Sequence, residues 1–255
     1  MAMTLGDMSR IATLNRQIYA AGKTASDPLT KAVDTASKRI GDQVSKTDVQ
    51  LSSYGQIKSG LASLQSSGKA LTTLAKNATG SEVGKAAQSF VDAYNTGSSA
   101  VNTAVNGTGS KAGALADDQL ARLAGNDLRR IVTNSGGSAE LQKIGISVGQ
   151  NGSLSLDAKA LEKALAANPD AVKSTLAKLG GQAETTATRE LSSNGAVGSA
   201  VNTLNSRAKK LAAAQSQQEG LAAAMQAAIQ QSADQLQGGG GFSAGIAAYM
   251  KIFSL

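Results

Sequence analysis

The chain has no cysteine, no histidine and no tryptophan, and only 2 of its 255 residues are proline. Without cysteine there are no disulfides and no thiolate metal sites. Without histidine, the usual general base near neutral pH and the commonest nitrogen ligand for metals are both missing. A serine–histidine–aspartate triad is therefore excluded, and a serine–lysine dyad is the variant that the composition leaves open. Aromatic residues make up 3% of the chain, so the large rings that usually fill a compact core are scarce. A core of alanine, leucine, valine and isoleucine on packed helices is expected instead. No apolar run reaches the ~20 residues of a membrane span, and Met1 to Ala25 lack the apolar region and cleavage site of a conventional signal peptide.

Lysine and arginine number 25 against 18 acidic residues, a formal net charge of +7. The basic residues are spread mostly singly, with the densest groups at Lys38-Arg39, at Arg129-Arg130 and at Arg207 with Lys209-Lys210. Solvated helix faces account for this spread better than a nucleic-acid footprint, and base-stacking aromatics are lacking. Asp117, Asp118 and Asp127 come nearest to an acidic cluster, but adjacent helix residues do not face one another, so the pair does not converge. The glycines at 238–241 follow no strand and precede no phosphate-binding lysine. The expectation is a protein that is not an enzyme, with no metal, no cofactor, no small-molecule substrate and no nucleic-acid partner.

What the sequence does contain is helical periodicity. Ile11, Leu14, Ile18 and Tyr19 predict a short helix over Ser9 to Ala21, ended by Gly22, with Ser26-Asp27-Pro28 starting the next. Ile40, Val44, Leu51, Tyr54, Ile57, Leu61, Leu64, Leu71 and Leu74 then follow at steps of three, four or their sums, a continuous stripe along one long helix. Gly41, Gly55, Gly60 and Gly68 interrupt it, each at roughly 1 kcal/mol against alanine, so the helix needs partners. After a turn at Asn77 to Gly80, Phe90, Val91 and Tyr94 mark a second helix from Ser81 to about Ala93. Thr96 to Gly113, rich in glycine, serine, asparagine and threonine, reads as a loop around a helical turn near Val101 to Val105. Leu115 to Val132 is helical again and is closed by Ser135-Gly136-Gly137.

Ile144, Ile146 and Val148 alternate with small or polar residues, and Leu154 and Leu156 do the same beyond Gly149-Gln150-Asn151-Gly152. Asn-Gly between alternating runs predicts a β-hairpin whose two turn residues take positive φ. Asp157 is placed to cap a helix over Ala158 to Ala167. Asn168-Pro169 ends it and starts another, which runs to Leu179 and stops at Gly180-Gly181. Thr185 to Gly198 is partly helical, with a break at Asn194-Gly195. A second long helix covers Ala200 to Leu236, its stripe made by Val201, Leu204, Ala208, Leu211, Leu221, Met225, Ile229 and Leu236. A glycine joint at 238–241 then leads to an apolar tail, Phe242 to Leu255.

The fold class expected is therefore mainly α: long antiparallel terminal helices forming a bundle or coiled-coil stem, with a small α+β head containing a β-hairpin. The expected organisation is a flexible segment over 1–29, an N-terminal stem helix over 30–76, the helix-and-hairpin head over 77–198, a C-terminal stem helix over 199–237 and the glycine-linked tail over 238–255.

Several of these segments resemble one family. Gln50-Leu51-Ser52-Ser53-Tyr54-Gly55-Gln56-Ile57-Lys58-Ser59-Gly60-Leu61 is similar to the N-terminal helix of flagellar filament cap proteins, hook-associated protein two. Phe90-Val91-Asp92-Ala93-Tyr94-Asn95 resembles that family's phenylalanine-valine-x-x-tyrosine-asparagine element. Leu141 to Val148 and Asn151 to Asp157 resemble its hairpin, and Ala164 to Val172 the helix that follows. The set, in order, covers roughly residues 30 to 235.

The resemblance implies a structural component of the bacterial flagellum, extracellular and exported through the type III apparatus without a cleaved signal. It implies a ring-like homo-oligomer that contacts flagellin or other flagellar axial proteins and supports flagellin assembly. The large outer β-domains such proteins insert between the first helix and the Phe90–Asn95 element have no counterpart here, or are reduced to the loop over Thr96–Gly113. A minimal filament-cap-like or hook-filament junction-like role is the expectation. The assembly interface is expected along Ile40, Val44, Leu51, Tyr54, Leu61, Leu64, Val201, Leu204, Leu211, Leu221, Met225 and Ile229. The alternative class is a cytoplasmic flagellar export chaperone or another helical binding module.

Overall fold

A computed structural model describes residues 5–74 and 77–237 of the chain, and the side chains of 31–74 and 77–231. The fold is mainly α, with one small hairpin. In chain order the elements are α1 (Leu5–Thr72), α2 (Gly80–Asn106), α3 (Gln119–Asn134), α4 (Gly137–Lys143), β1 (Ile146–Val148), β2 (Leu154–Leu156), α5 (Ala158–Ala167), α6 (Pro169–Leu191) and α7 (Ala196–Gln237). The chain divides into two compact units, one spanning Lys46–Arg207 and the other made of the parts of α1 and α7 outside those bounds.

The Lys46–Arg207 unit holds the core. α1 contributes Tyr54, Ile57, Leu61, Leu64 and Leu71, α2 contributes Val83, Phe90, Tyr94 and Val101, and α3 contributes Leu128 and Ile131. α6 adds Val172, Leu176 and Leu179, and α7 adds Val197 and Leu204. On every helix these residues recur at three- and four-residue steps, so each element turns one stripe inward. Each fully buried leucine, isoleucine or phenylalanine stabilises the unit by about 1.5–3 kcal/mol. The rings of Phe90 and Tyr94, one turn apart on α2, stack with centroids 6.5 Å apart.

The helices can come this close because glycines meet at the crossings. A Cβ on Gly60 of α1 would stand 2.7 Å from the Cα of Gly97 on α2, and a Cβ on Gly68 would stand 2.7 Å from the backbone oxygen of Gly180 on α6. Both distances are shorter than carbon and oxygen atoms tolerate. These contacts correct two sequence expectations. Thr96 to Asn106 is not a loop but the second half of α2, and α6 does not stop at Gly180-Gly181 but continues to Leu191. At Gly180 a Cβ would run into the Gly68 carbonyl oxygen, so backbone occupies the space a side chain would need, whereas Gly97 presents the bare Cα against which Gly60 lies.

Other boundaries differ from expectation too. α1 runs unbroken through Gly22 and Pro28, where a stop and a new start are expected. Local penalties at single residues are a weak prior when a long helix keeps all its other backbone bonds. α3 begins only at Gln119, with Leu115 buried just ahead of it, and α4 is an element the apolar pattern does not announce. The break before α7 falls at 192–195, where the sequence places it.

The hairpin pairs Ile146 with Leu156, Ser147 with Ser155 and Val148 with Leu154, antiparallel. Its turn is not the two-residue form with both residues at positive φ. Within the turn Gly152 alone takes a positive φ, 79°, and no non-glycine among the described residues does. Gly152 N–H donates to the Gly149 carbonyl at 2.9 Å, and Gly149 N–H donates to the Ser153 carbonyl at 2.8 Å. This is a turn followed by a left-handed glycine, the longer hairpin connection. Asp157 then caps α5 through Lys159 and Ala160 N–H, and Asn168 caps α6 with Pro169 at its first position, both as the sequence predicts.

In the other unit the early part of α1 packs with the late part of α7, the antiparallel sense. Val33, Ala36, Ile40 and Val44 are half-buried on α1, as are Ala208, Ala214, Gln218, Ala222 and Met225 on α7 around the buried Leu211. Gln218 Nε2 donates to the Val33 carbonyl at 3.4 Å.

The crossings make opposite predictions for equivalent substitutions. Gly60→Ala or Gly68→Ala should destabilise the protein by roughly 1–3 kcal/mol, because backbone cannot yield to the new methyl. Gly55→Ala, on an open face of the same helix with nothing within 4 Å of its Cβ, should stabilise it by about 0.5–1 kcal/mol. Urea unfolding midpoints at constant slope measure both.

Candidate functional site

The residues expected at an assembly interface fall into three groups. Tyr54, Leu61 and Leu64 are fully buried inside the Lys46–Arg207 unit and Leu204 nearly so, while Leu211 is nearly buried in the other unit. Ile40, Val44, Leu51, Val201 and Met225 are half-buried. Leu221 and Ile229 keep 49% and 52% of their surface exposed. The stripe drawn along α7 from sequence thus mixes two faces. The packed face continues through Ala214, Gln218, Ala222 and Met225, all half-buried, with the two alanines leaving room for a neighbouring helix. Leu221 and Ile229, eight residues apart and so about 80° apart around the helix, lie outside that face and are exposed.

The segments that carry the family resemblance occupy the structural heart of the Lys46–Arg207 unit. Phe90, Val91 and Tyr94 of α2 are buried, and burial raises the Tyr94 phenol above its ordinary range. The Tyr54 hydroxyl on α1 is likewise pushed up, first by burial and then by the Asp118 carboxylate nearby. Asn95 closes the element. Its Nδ2 donates to the Leu154 carbonyl and its Oδ1 accepts from Leu154 N–H, both at 2.8 Å. One primary amide therefore satisfies both backbone groups of a strand residue and fastens β2 to α2. Sequence reasoning placed Asn95 in a motif without a role. The signal available was an asparagine directly after an apolar tyrosine, at the edge of the stretch expected to be a loop.

The acidic residues resolve into structural tasks. Asp118 Oδ1 accepts from Leu120 and Ala121 N–H and caps α3. Asp127 pairs with Arg189 at 2.9 Å and with Arg130 at 3.3 Å. At the start of α2, Thr79 N–H donates to Glu82 Oε2 at 2.7 Å, and this bond holds the Glu82 carboxyl below its ordinary range. A surface groove of about 550 Å³ beside α2 and α3 is lined by Asn102, Asn106, Arg122, Asn126 and Arg129 among others. Its polar groups are engaged locally: Asn106 bonds Asn102, Arg129 bonds Asn126 and Arg122 bonds the Ala116 carbonyl. Among the described residues no group of three or more metal-ligating side chains converges, and no described helix is long and apolar enough to cross a membrane.

What this arrangement offers is helix surface: an α-helical framework of long helices around one small hairpin. The comparison with protein families agrees. The chain belongs to the flagellar hook-associated protein 2 family, whose C-terminal family model matches residues 62–239 of the 255. That span takes in the last part of α1, all of α2 to α6, the hairpin and α7. The chain is thus a hook-associated component of the bacterial flagellum. No curated protein and no solved structure gives a significant match.

The amide clamp is directly testable. Asn95→Ala should cost about 2–3 kcal/mol, two buried hydrogen bonds and the unpaired backbone left behind. Asn95→Asp, which keeps the acceptor but sets a carboxylate oxygen against the Leu154 carbonyl, should cost at least as much at neutral pH. Unfolding midpoints, with amide exchange at Leu154 as the local readout, separate loss of the clamp from global loosening.

Proposed function

We propose that this protein is a structural subunit of the extracellular flagellum, of minimal filament-cap or hook-filament junction type, that assembles as a ring-like homo-oligomer and supports flagellin assembly. The observation that carries this reading is the family match, which begins within the first long helix and runs through the last. Export without a cleaved signal peptide, and contact with flagellin or other axial proteins, belong to the same proposal. The exposed side chains of Leu221 and Ile229, on the same half of α7, are the apolar surface that this reading assigns to contact with a further helix. Short, direct passage from α1 to α2 through residues 73–79 supports the minimal form, because the region that would carry large outer domains is only a link.

Substitution of Leu51 or Leu211 by aspartate breaks assembly on this reading, but Leu211 is packed within the chain itself and its loss also disturbs folding. The sharper variant is Leu221→Asp with Ile229→Asp. Light scattering of the wild-type protein should report an oligomer, and the double variant should remain a smaller species. Its unfolding midpoint should stay within about 0.5 kcal/mol of wild type, as expected for surface substitutions. Unchanged assembly would remove this face from the interface. Recovery of the protein in sheared flagella, as against cell lysate alone, distinguishes a filament component from an export chaperone.

A further inference from the structure

Two acids and two arginines meet where α6 ends against α3. Glu190 is 2% exposed and stands one residue before the end of α6. Its Oε1 lies 3.6 Å from Arg189 Nε, and its Oε2 is buried with no hydrogen-bond partner. Across from it on α3 is Asp127, also buried. Asp127 is already committed: its Oδ2 accepts from Arg189 Nη2 at 2.9 Å and its Oδ1 from Arg130 Nη1 at 3.3 Å. Both arginine side chains are more than half exposed, at 57% and 70%, so positive charge reaches the pair only from the solvent side.

The charged groups facing Glu190 are Asp127 and Arg130 from α3 and Arg189 from its own helix. α1 brings the uncharged Gln65, whose Nε2 donates to Thr188 Oγ1 at 2.8 Å, while its Lys58 and Lys69 stay exposed. Asp92 of α2 is exposed as well, and the stretch 192–206 contains no titratable side chain. Neighbouring buried carboxyls cannot both carry charge without a large penalty. An ionised carboxylate only accepts hydrogen bonds, whereas a protonated one also donates. A proton on Glu190 would therefore turn two repelling acceptors into a donor and an acceptor.

We propose that Asp127 and Glu190 share one proton and form a latch between α3 and the C-terminal end of α6, fastened when Glu190 is protonated and loosened when it ionises. Burial, then the hydrogen bond and charge of Asp127, raise the Glu190 carboxyl above its ordinary range, with Arg189 opposing. The latch lies under the joint that leads into α7: a Cβ on Gly195 would stand 2.6 Å from the Glu190 carbonyl oxygen. Its state is therefore felt where α6 hands over to α7. This proposal rests on the Lys46–Arg207 unit alone and holds whatever the protein assembles with.

The sign follows from linkage. The folded-state value of Glu190 lies above the unfolded one, so the stabilisation is complete below the ordinary glutamate range. It is lost as pH rises through the raised value. Urea unfolding of the full chain from about pH 4 to about pH 9 tests this against Glu190→Gln, which keeps a donor and cannot ionise. The wild-type midpoint should fall with pH more steeply than the variant's, and the variant should be the more stable at the alkaline end. The ¹³C carboxyl resonance of Glu190 should titrate above the ordinary glutamate range in the wild type and move back toward it in Asp127→Asn. A Glu190 resonance titrating at or below the ordinary range would overturn the latch. So would a Glu190→Gln protein less stable than wild type at neutral pH, which would mean that ionised Glu190 is held by Arg189.

Discussion

Close approach of helix backbones is the constraint on which the folded unit depends. A chain with few aromatic rings must gather its buried surface from alanine, valine, leucine and isoleucine. Those side chains are short, so they make full contact only if the helices carrying them lie near one another. Glycines at the α1–α2 and α1–α6 crossings remove the last atoms that would hold the backbones apart. Composition and packing are thus two aspects of one requirement: small residues make the core thin, and a thin core demands tight crossings. The stripe from Tyr54 to Leu71 on α1 is the common surface against which α2 and α6 are set.

Much of this was legible in the sequence where the governing interaction is local. Helical periodicity located α1 and α7, alternation located β1 and β2, and Asp157 and Asn168-Pro169 announced their helices because a cap acts within three residues of itself. What was hidden is what depends on a distant partner. Gly97 and Gly180 read as helix breakers because the backbones they admit, at Gly60 and Gly68, lie far away in sequence. The α7 stripe was drawn through Leu221 and Ile229 because large apolar residues dominate a pattern. The face that packs is instead built of alanines and a glutamine, whose value lies in their small size or in a single hydrogen bond. Tyr54, Leu61 and Leu64 lie on the stripe expected at an assembly interface, and the structure packs them within the chain's own core. The family itself was legible in the ordered segments around Tyr54, Phe90–Asn95, the hairpin and Asn168-Pro169, and the family match covers most of them.

The charged residues follow a similar economy. Asp118, Asp157 and Glu82 are spent on helix starts, where backbone N–H groups lack partners within the helix. Lys173 of α6 reaches the Ala78 carbonyl at 3.2 Å and ties down the link between α1 and α2. Among the described residues, Asp127 and Glu190 are the acids buried in the interior rather than placed at a helix start. That exception makes the end of α6 different in kind from the other helix ends.

Leu154 in the hairpin has a further implication. A strand with free backbone groups along its outer side is a template on which another chain can lay down a strand of its own. Asn95 occupies both groups of Leu154 on that side of β2. The edge is thereby blocked by a side chain of the same molecule, at the first residue of the strand that a foreign strand would have to cover. Sealing β2 from within removes the backbone pairing by which unrelated chains would fuse onto it, and leaves only side chains to be met at that point.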